Sequence, residues 1–288
     1  METIDRSVLT FFLNALWQAP LAATVAALAC RIMRNGPARH RHAVCVAALM
    51  ASLLLPVASL RTGSGDVGTL AVPGPLTGAT QITASHAGRT PAGDPNAPEQ
   101  KRIPVPRTAA WLLIGGYALL IILRAARFAT QAIRTRQILR SAVPCTSTDV
   151  WRIWNRCAAA MGVEAALRCS AKVAGPVTAG RTIILPPAML DGISDGILTA
   201  AIGHEMAHIA RRDFVCNLLY EAAALPLWFH PATLWLRREI DRTRELACDE
   251  LVTGQLLEPG AYAESIVSIA AEISGLGRPG YTLGVLDG

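Results

Sequence analysis

Three long apolar runs restrict this chain more than any other feature. Val8 to Ile32 reads "VLTFFLNALWQAPLAATVAALACRI" and Ala43 to Leu60 reads "AVCVAALMASLLLPVASL". Thr108 to Leu123 reads "TAAWLLIGGYALLIIL" and can extend into "RAARF". A bilayer core calls for a helix of about 20 apolar residues, and these runs meet or approach that length. The rival reading is a set of buried helices in a soluble core. Composition weighs against it: 17% of residues are charged, 52% are hydrophobic and the mean hydropathy is +0.35. An average soluble chain has about a quarter of its residues charged.

The arginines orient the runs. Arg31, Arg34, Arg39 and Arg41 lie between the first two, and "RAARFATQAIRTRQILR" follows the third, with no acid in either segment. Positive residues beside a span stay on the cytoplasmic side. Both segments are therefore expected to face the cytoplasm, and the amino terminus the exterior of the inner membrane. A nucleic-acid surface would also explain the charge, but no recognition motif or interleaved aromatics accompany it, so no direct nucleic-acid binding is expected. "ALAC", Ala27 to Cys30, resembles a lipoprotein cleavage site. The region before the run, "METIDRS", lacks the basic excess of a signal peptide, and an uncleaved first span is the better reading. The seven cysteines follow no repeated spacing, so a disulfide framework is not expected. Residues 61–107, rich in Gly, Pro, Ser and Thr, read as a flexible external loop.

From Ser141 onward the pattern is that of a folded domain. "TDVWRIWNRCAAAMGV" places Val150, Ile153, Trp154, Cys157 and Met161 at helical spacing, with Thr148 or Asp149 as N-cap. "ALRCSAKV" and "RTIIL" read as short strands around a turn-rich "AGPVTAG". A further helix is capped by Ser194 or Asp195 and carries "GHEMAHIARRD".

That last stretch holds the chemistry. His204 and His208 are four apart, so a helix projects both imidazoles from one face. Glu205 can lean toward whatever occupies an open coordination position. This is the arrangement of H-E-x-x-H, two zinc ligands with a general base. The bland alternative is an amphipathic helix with a polar face. Catalytic zinc usually takes a third protein ligand, and "RREIDRTRELACDE" offers one. Glu245 and Asp249, four apart, suit a ligand and an orienting partner. Cys248 competes as a thiolate, and Glu239, Asp241 and Glu250 stand as further carboxylates. Spacing does not choose among them.

"CNLLYEAAALPLWFHPATLWL", Cys216 to Leu236, is apolar enough to pass for a fourth span. A single crossing there would put the histidines and Glu245 on opposite membrane faces, beyond the reach of metal bonds of about 2 Å. Glu221, Pro226 and Pro231 also interrupt a lipid-facing helix. The segment is expected to bend back as a membrane-apposed or re-entrant hairpin. His230 within it reads as a packing or hydrogen-bonding residue.

"HEMAHIARRD" followed by "FHPATLWLRREIDRTRELACDE" resembles the BlaR/MecR-type membrane metallopeptidases, an antirepressor family. The resemblance extends to "ARHRHAVCVAALMASLLLP" and "AGPVTAGRTIILPPAML". It implies gluzincin-like zinc ligation with Glu245 as third ligand and Asp249 as its partner. It also implies that Asp213 helps to hold the zinc helix. The implied substrate is a cytoplasmic transcriptional repressor or the protein itself, cleaved after an envelope or antibiotic signal; a homodimer is compatible with this. Long members of the family continue into another span and an external penicillin-binding sensor, whereas this sequence ends at "YTLGVLDG". Either the sequence is a fragment, or sensing is expected to rest on its loop or a partner, so the resemblance carries the proteolytic motif and leaves β-lactam sensing open. Two rivals stand beside it: a non-enzymatic signalling or scaffold protein that retains the fold, and a housekeeping membrane metalloprotease.

The expected fold is an α-helical multi-pass membrane protein with a mainly α (α+β) cytoplasmic zincin-like metallopeptidase domain. Residues 1–60 hold two transmembrane helices and their basic loop, 61–107 the external loop, and 108–126 the third transmembrane helix. Residues 127–288 form the metallopeptidase domain, including the hairpin at 216–236. The "RTIIL" strand, Arg181 to Leu185, is a candidate to pair with an extended substrate; its rival reading is an ordinary core strand.

Overall fold

A computed structural model describes residues 2–62, 107–190 and 193–275. Within them the chain is mostly helical, with one small mixed sheet. Helices α1 (Glu2–Ile32), α2 (Ala38–Thr62) and α3 (Arg107–Ser141) carry the three apolar runs. Their segments Thr10–Ile32, Ala38–Leu60 and Ile114–Ser141 are long and apolar enough to cross a membrane. Residues 63–106, most of the stretch read as an external loop, lie outside the described residues. Helix α3 runs unbroken past residue 127, carrying the arginine-rich segment as a continuation of the third apolar run.

Helices α1 and α2 pack through small side chains. Ala15, Ala19, Ala23 and Ala26 are buried on one face of α1, opposite Cys45, Leu49 and Ser52 of α2. Small residues let two backbones approach where lipid offers no hydrophobic drive to associate. Gln18 Nε2 donates to Ser59 Oγ at 3.3 Å across the pair. Helix α3 stands apart, and Thr135 is the one buried residue among its described side chains.

After α3 come β1 (Val143–Pro144), α4 (Thr148–Met161), β2 (Ala166–Cys169), β3 (Val177–Ala179) and β4 (Thr182–Leu185). Ser147 caps α4 by accepting from Val150 N–H, one residue ahead of the expected Thr148 or Asp149. The sheet order is β1-β2-β4-β3, with β2 and β4 parallel and both outer pairs antiparallel. Two readings from sequence change here. The segment read as turn-rich contains strand β3, which returns into β4 through a tight turn with Gly180 at φ +64°. The "RTIIL" strand is central, hydrogen-bonded on both sides, and its Ile183, Ile184 and Leu185 are fully buried. It is a core strand with no free edge for a peptide.

Helix α5 (Asp195–Ala210) is capped by Ser194. Buried residues occur all round it, the mark of a helix inside a core. One side packs with the sheet and α4 through Leu198, Ile202 and Met206. The other meets α7 (Pro231–Gln255) and α8 (Pro259–Gly275) through Ala200 and Ala207. Gly203 permits the closest approach, since a Cβ there would lie 2.5 Å from Leu256 Cδ1.

Between α5 and α7 the chain forms a hairpin. Helix α6 (Asp213–Ala224) runs into a 3₁₀ turn, Leu225–Leu227, and His230 then caps α7 by accepting from Ala232 N–H at 3.2 Å. Pro226 and Pro231 fall at the break, as their missing N–H donors require. The hairpin tip meets apolar stretches of α1 and α3. Tyr117 O–H donates to Pro226 O at 2.9 Å, and Phe229 stacks near Phe12 and Tyr117. The far end of α7 returns to the start of α2, where both oxygens of Glu250 lie 2.9 Å from Ala38 N. From Pro231 to Glu250 the helix covers about 28 Å at 1.5 Å per residue. Along the way Tyr220, Ala224, Leu236 and Ile240 bury themselves against α1 and α2.

The hairpin legs are joined by a partly buried ion pair, Arg237 with Glu221, to which Asn217 adds its side-chain oxygen at 3.3 Å. Arg237→Met is expected to destabilise the protein by about 3–5 kcal/mol, because an unpaired carboxylate is left behind. Arg237→Met with Glu221→Gln should recover most of that loss, measured as the melting temperature in detergent.

Candidate metal centre

Three donor atoms from two helices converge at the inner end of the hairpin. Glu245 Oε2 lies 3.2 Å from His204 Nε2 and 3.7 Å from His208 Nε2. Bonds of about 2.0–2.2 Å meeting at a tetrahedral angle put donor atoms roughly 3.3–3.6 Å apart. The spacing is thus that of ligand atoms around one small ion, and His204, His208 and Glu245 form a group able to hold a metal.

The opposite ring nitrogens are both engaged. Asp213 Oδ2 lies 2.8 Å from His208 Nδ1, and Asp249 Oδ1 lies 3.2 Å from His204 Nδ1. An ionised carboxylate only accepts, so each Nδ1 carries a proton, and Nε2 is the nitrogen left to face a metal ion. Both Nε2 atoms face Glu245, and in the absence of a metal His204 Nε2–H donates to its carboxylate at 3.2 Å. A shared cation takes the place of that proton, so the donor set fits a metal ion. The same carboxylate–imidazole pairing orients histidine ligands in metal sites generally.

Asp213 reaches His208 through local backbone geometry. Arg212 adopts a left-handed conformation, φ 59°, and folds α6 back onto the end of α5. Arg211 Nε also contacts the Asp213 carboxylate at 3.3 Å. Two further residues, which sequence reasoning missed, complete the surroundings. Tyr262 of α8 donates its hydroxyl to Asp249 Oδ1 at 2.7 Å and lies 2.9 Å from His204 Nδ1. Thr178 of β3 donates to Glu205 Oε2 at 2.6 Å and sits 3.1 Å from its carbonyl oxygen. Neither belongs to a motif, and neither has a periodic signature in the sequence. The outer strand β3 therefore lies directly beside Glu205.

The charges are mutually adapted. Burial would raise the Glu245 carboxyl, but the hydrogen bond to His204 and the charges of His208 and Arg244 bring it down to about 2. Burial would lower His204, but Asp249, Glu245 and Glu205 outweigh it and raise it to about 10. Asp213 and Asp249 are likewise held below the usual carboxylate range, against burial, chiefly by their histidine partners. The site is an anionic cradle that favours positive charge.

The competing carboxylates and the thiol sit elsewhere. Glu239 pairs with Arg242, Asp241 with Arg244, and Glu250 meets the first N–H of α2. Cys248 is fully buried against Asp213 and the Nδ1 side of His208. His208, Asp213 and Cys248 form a second compact trio. Burial and the Asp213 charge raise the thiol, so it stays protonated and donates to the carboxylate. That trio is a hydrogen-bond cluster.

The helix-borne His-Glu-x-x-His pair and Glu245 together form a group able to hold a metal ion. The family model described as BlaR1 peptidase M56 matches residues 11–280. The chain belongs to that family. It is also similar to the methicillin resistance mecR1 proteins of Staphylococcus aureus (strain Mu50) and Staphylococcus epidermidis, 31% identical to each over 87 residues. The aligned stretch is 30% of this chain and 15% of each relative.

Asp213→Ala and Asp249→Ala are each expected to weaken divalent-metal binding about 10–100-fold, since each frees one imidazole to rotate or change tautomer. Cys248→Ser should leave it little changed. Competition with a chromophoric chelator measures all three.

Proposed function

We propose that this protein is a zinc-dependent endopeptidase embedded in the cell membrane, with its site on the cytoplasmic side. The observation that carries the reading is the convergence of Glu245 Oε2 on the two Nε2 atoms at 3.2 and 3.7 Å. In this reading His204, His208 and Glu245 hold Zn²⁺, Asp213 and Asp249 orient the two imidazoles, and Glu205 is the catalytic base. Bound zinc supplies a Lewis acid that polarises a scissile carbonyl and acidifies water.

The chain's own residues supply the rest. Glu205 accepts a proton from the attacking water and returns it to the departing amine. The Thr178 hydroxyl donates to Oε2 of Glu205 and so orients the carboxylate. An extended peptide has a docking edge in β3, whose outer side is unpaired among the described strands and which adjoins Glu205 through Thr178. Main-chain pairing of this kind holds a substrate without demanding a particular sequence.

Several features support the cytoplasmic location. Glu250, one turn beyond Glu245, meets the start of α2 beside the arginine cluster Arg31 to Arg41. Positive residues next to spans mark the inner face. The α6–α7 hairpin then re-enters the bilayer: it presents Val215, Leu219 and Phe229 outward and reaches the apolar parts of α1 and α3. By its resemblance to the BlaR/MecR-type family, the substrate is a cytoplasmic repressor or the protein itself, and the stimulus is an envelope or antibiotic signal. The division into spans, loop and peptidase domain given above belongs to the same proposal, as does a homodimer.

Two measurements test this reading. Glu205→Ala should keep its zinc yet lose about 10²–10⁴-fold in cleavage rate, the usual scale of a general base. Proteomics of cells with the wild-type or variant protein reads cleavage and names the target, and undiminished proteolysis in the variant sinks the mechanism. A phosphatase reporter active only outside the cytoplasm should work when fused after Thr62 and stay silent after Ser141. Activity at the second position would put the site on the wrong side.

A further inference from the structure

A cavity of about 240 Å³ lies between α3 and α6, away from the metal centre. On α3 its wall is Arg124, Arg127 and Phe128, the i, i+3 and i+4 positions of one helix face. On the other side it is Leu218 and Ala222 of α6, continued by Leu225 of the 3₁₀ turn. The two faces oppose each other without closing. Glu221 also borders the space, but its charge is taken by Arg237. Neither Arg124 nor Arg127 has a carboxylate partner among the described residues.

We propose that this seam binds one anionic glycerophospholipid, a reading that rests on α3 being a span. Two guanidiniums without a carboxylate partner sit where the apolar run of α3 ends, the level at which anionic headgroups lie beside a span. The guanidinium carbon of Arg124 lies over the Trp228 ring, 4.5 Å from its centroid, and a guanidinium is a bidentate donor suited to a phosphate. Phe128, Leu218, Ala222 and Leu225 offer the apolar wall that an acyl chain needs. Sites that enclose a whole small ligand measure about 300–1,000 Å³. This smaller space takes part of a lipid, with the phosphate at its rim and the chains continuing into the bilayer. Basic clefts between spans on the cytoplasmic side are suited to such headgroups. The lipid fills the gap beside a helix that is otherwise held to the hairpin by Tyr117 and Arg124.

The test is native mass spectrometry of the full chain in detergent. The probes are dioleoylphosphatidylglycerol, dioleoylphosphatidylcholine with the same chains, and inorganic phosphate. One phosphatidylglycerol should be retained about tenfold or more over phosphatidylcholine, the scale of two arginine contacts, and phosphate alone should not be held. Arg124→Gln with Arg127→Gln should erase the preference, and Arg134→Gln with Arg136→Gln should keep it. Ala222→Phe fills the cavity while leaving both charges, and should also expel the lipid. It carries the test if the double arginine variant does not fold. Equal retention of the two lipids, equal loss in both arginine pairs, or undiminished binding in Ala222→Phe overturns the proposal. Zinc content and Glu205-dependent cleavage are read on the same preparations, and the reporter fusions read the crossing of α3. Lipid preference without zinc or cleavage refutes the peptidase reading alone; zinc and cleavage without lipid preference refutes this one alone.

Discussion

Everything in this molecule depends on bringing one carboxylate back to two imidazoles after an apolar excursion. The histidines sit on α5, and Glu245 follows 37 positions after His208, beyond a segment apolar enough to cross a membrane. Donor atoms around one ion must lie within a few ångströms, so that segment has to return. Pro226 and Pro231 break it, His230 restarts the helix, and the α7 leg runs back to the α2 amino terminus. The Arg237–Glu221 pair closes the hairpin between its legs. In low-dielectric surroundings neither partner is comfortable alone, so the pair favours the closed hairpin over a straight crossing.

The site itself is held from outside. Each histidine is fixed through the nitrogen that does not face Glu245. Asp213 comes from the turn after α5, and Asp249 comes from the same α7 face as Glu245. Tyr262 ties Asp249 to α8, and Thr178 ties Glu205 to β3. Four separate elements thus orient side chains on one helix. Movement of α8 or of the sheet would be felt at His204 or Glu205 through single hydrogen bonds. The sheet is linked in turn to α3, since Ile138 and Leu139 pack against Val173, Val177 and Ile184. The helix bordering the cavity and the strand beside Glu205 share a core.

The sequence by itself determined whatever depends on local periodicity or on composition. Apolar length marked the three candidate spans, and the i, i+4 rule placed His204 with His208 and Glu245 with Asp249. Proline positions, together with the short reach of metal bonds, required the hairpin. Family resemblance supplied Asp213, and spacing would not have done so, because its contact with His208 depends on the left-handed Arg212. Family resemblance also pointed to Glu245; spacing alone left Cys248, Glu239, Asp241 and Glu250 beside it, and the tertiary structure brings Glu245 to both Nε2 atoms because residues of one helix differ in the direction they face. Only the tertiary structure made "RTIIL" a central strand and β3 an outer one, since strand order follows from pairing between distant segments. Thr178 and Tyr262 were illegible for the same reason: their partners lie 27 and 58 positions away, and no local pattern encodes a contact across that distance.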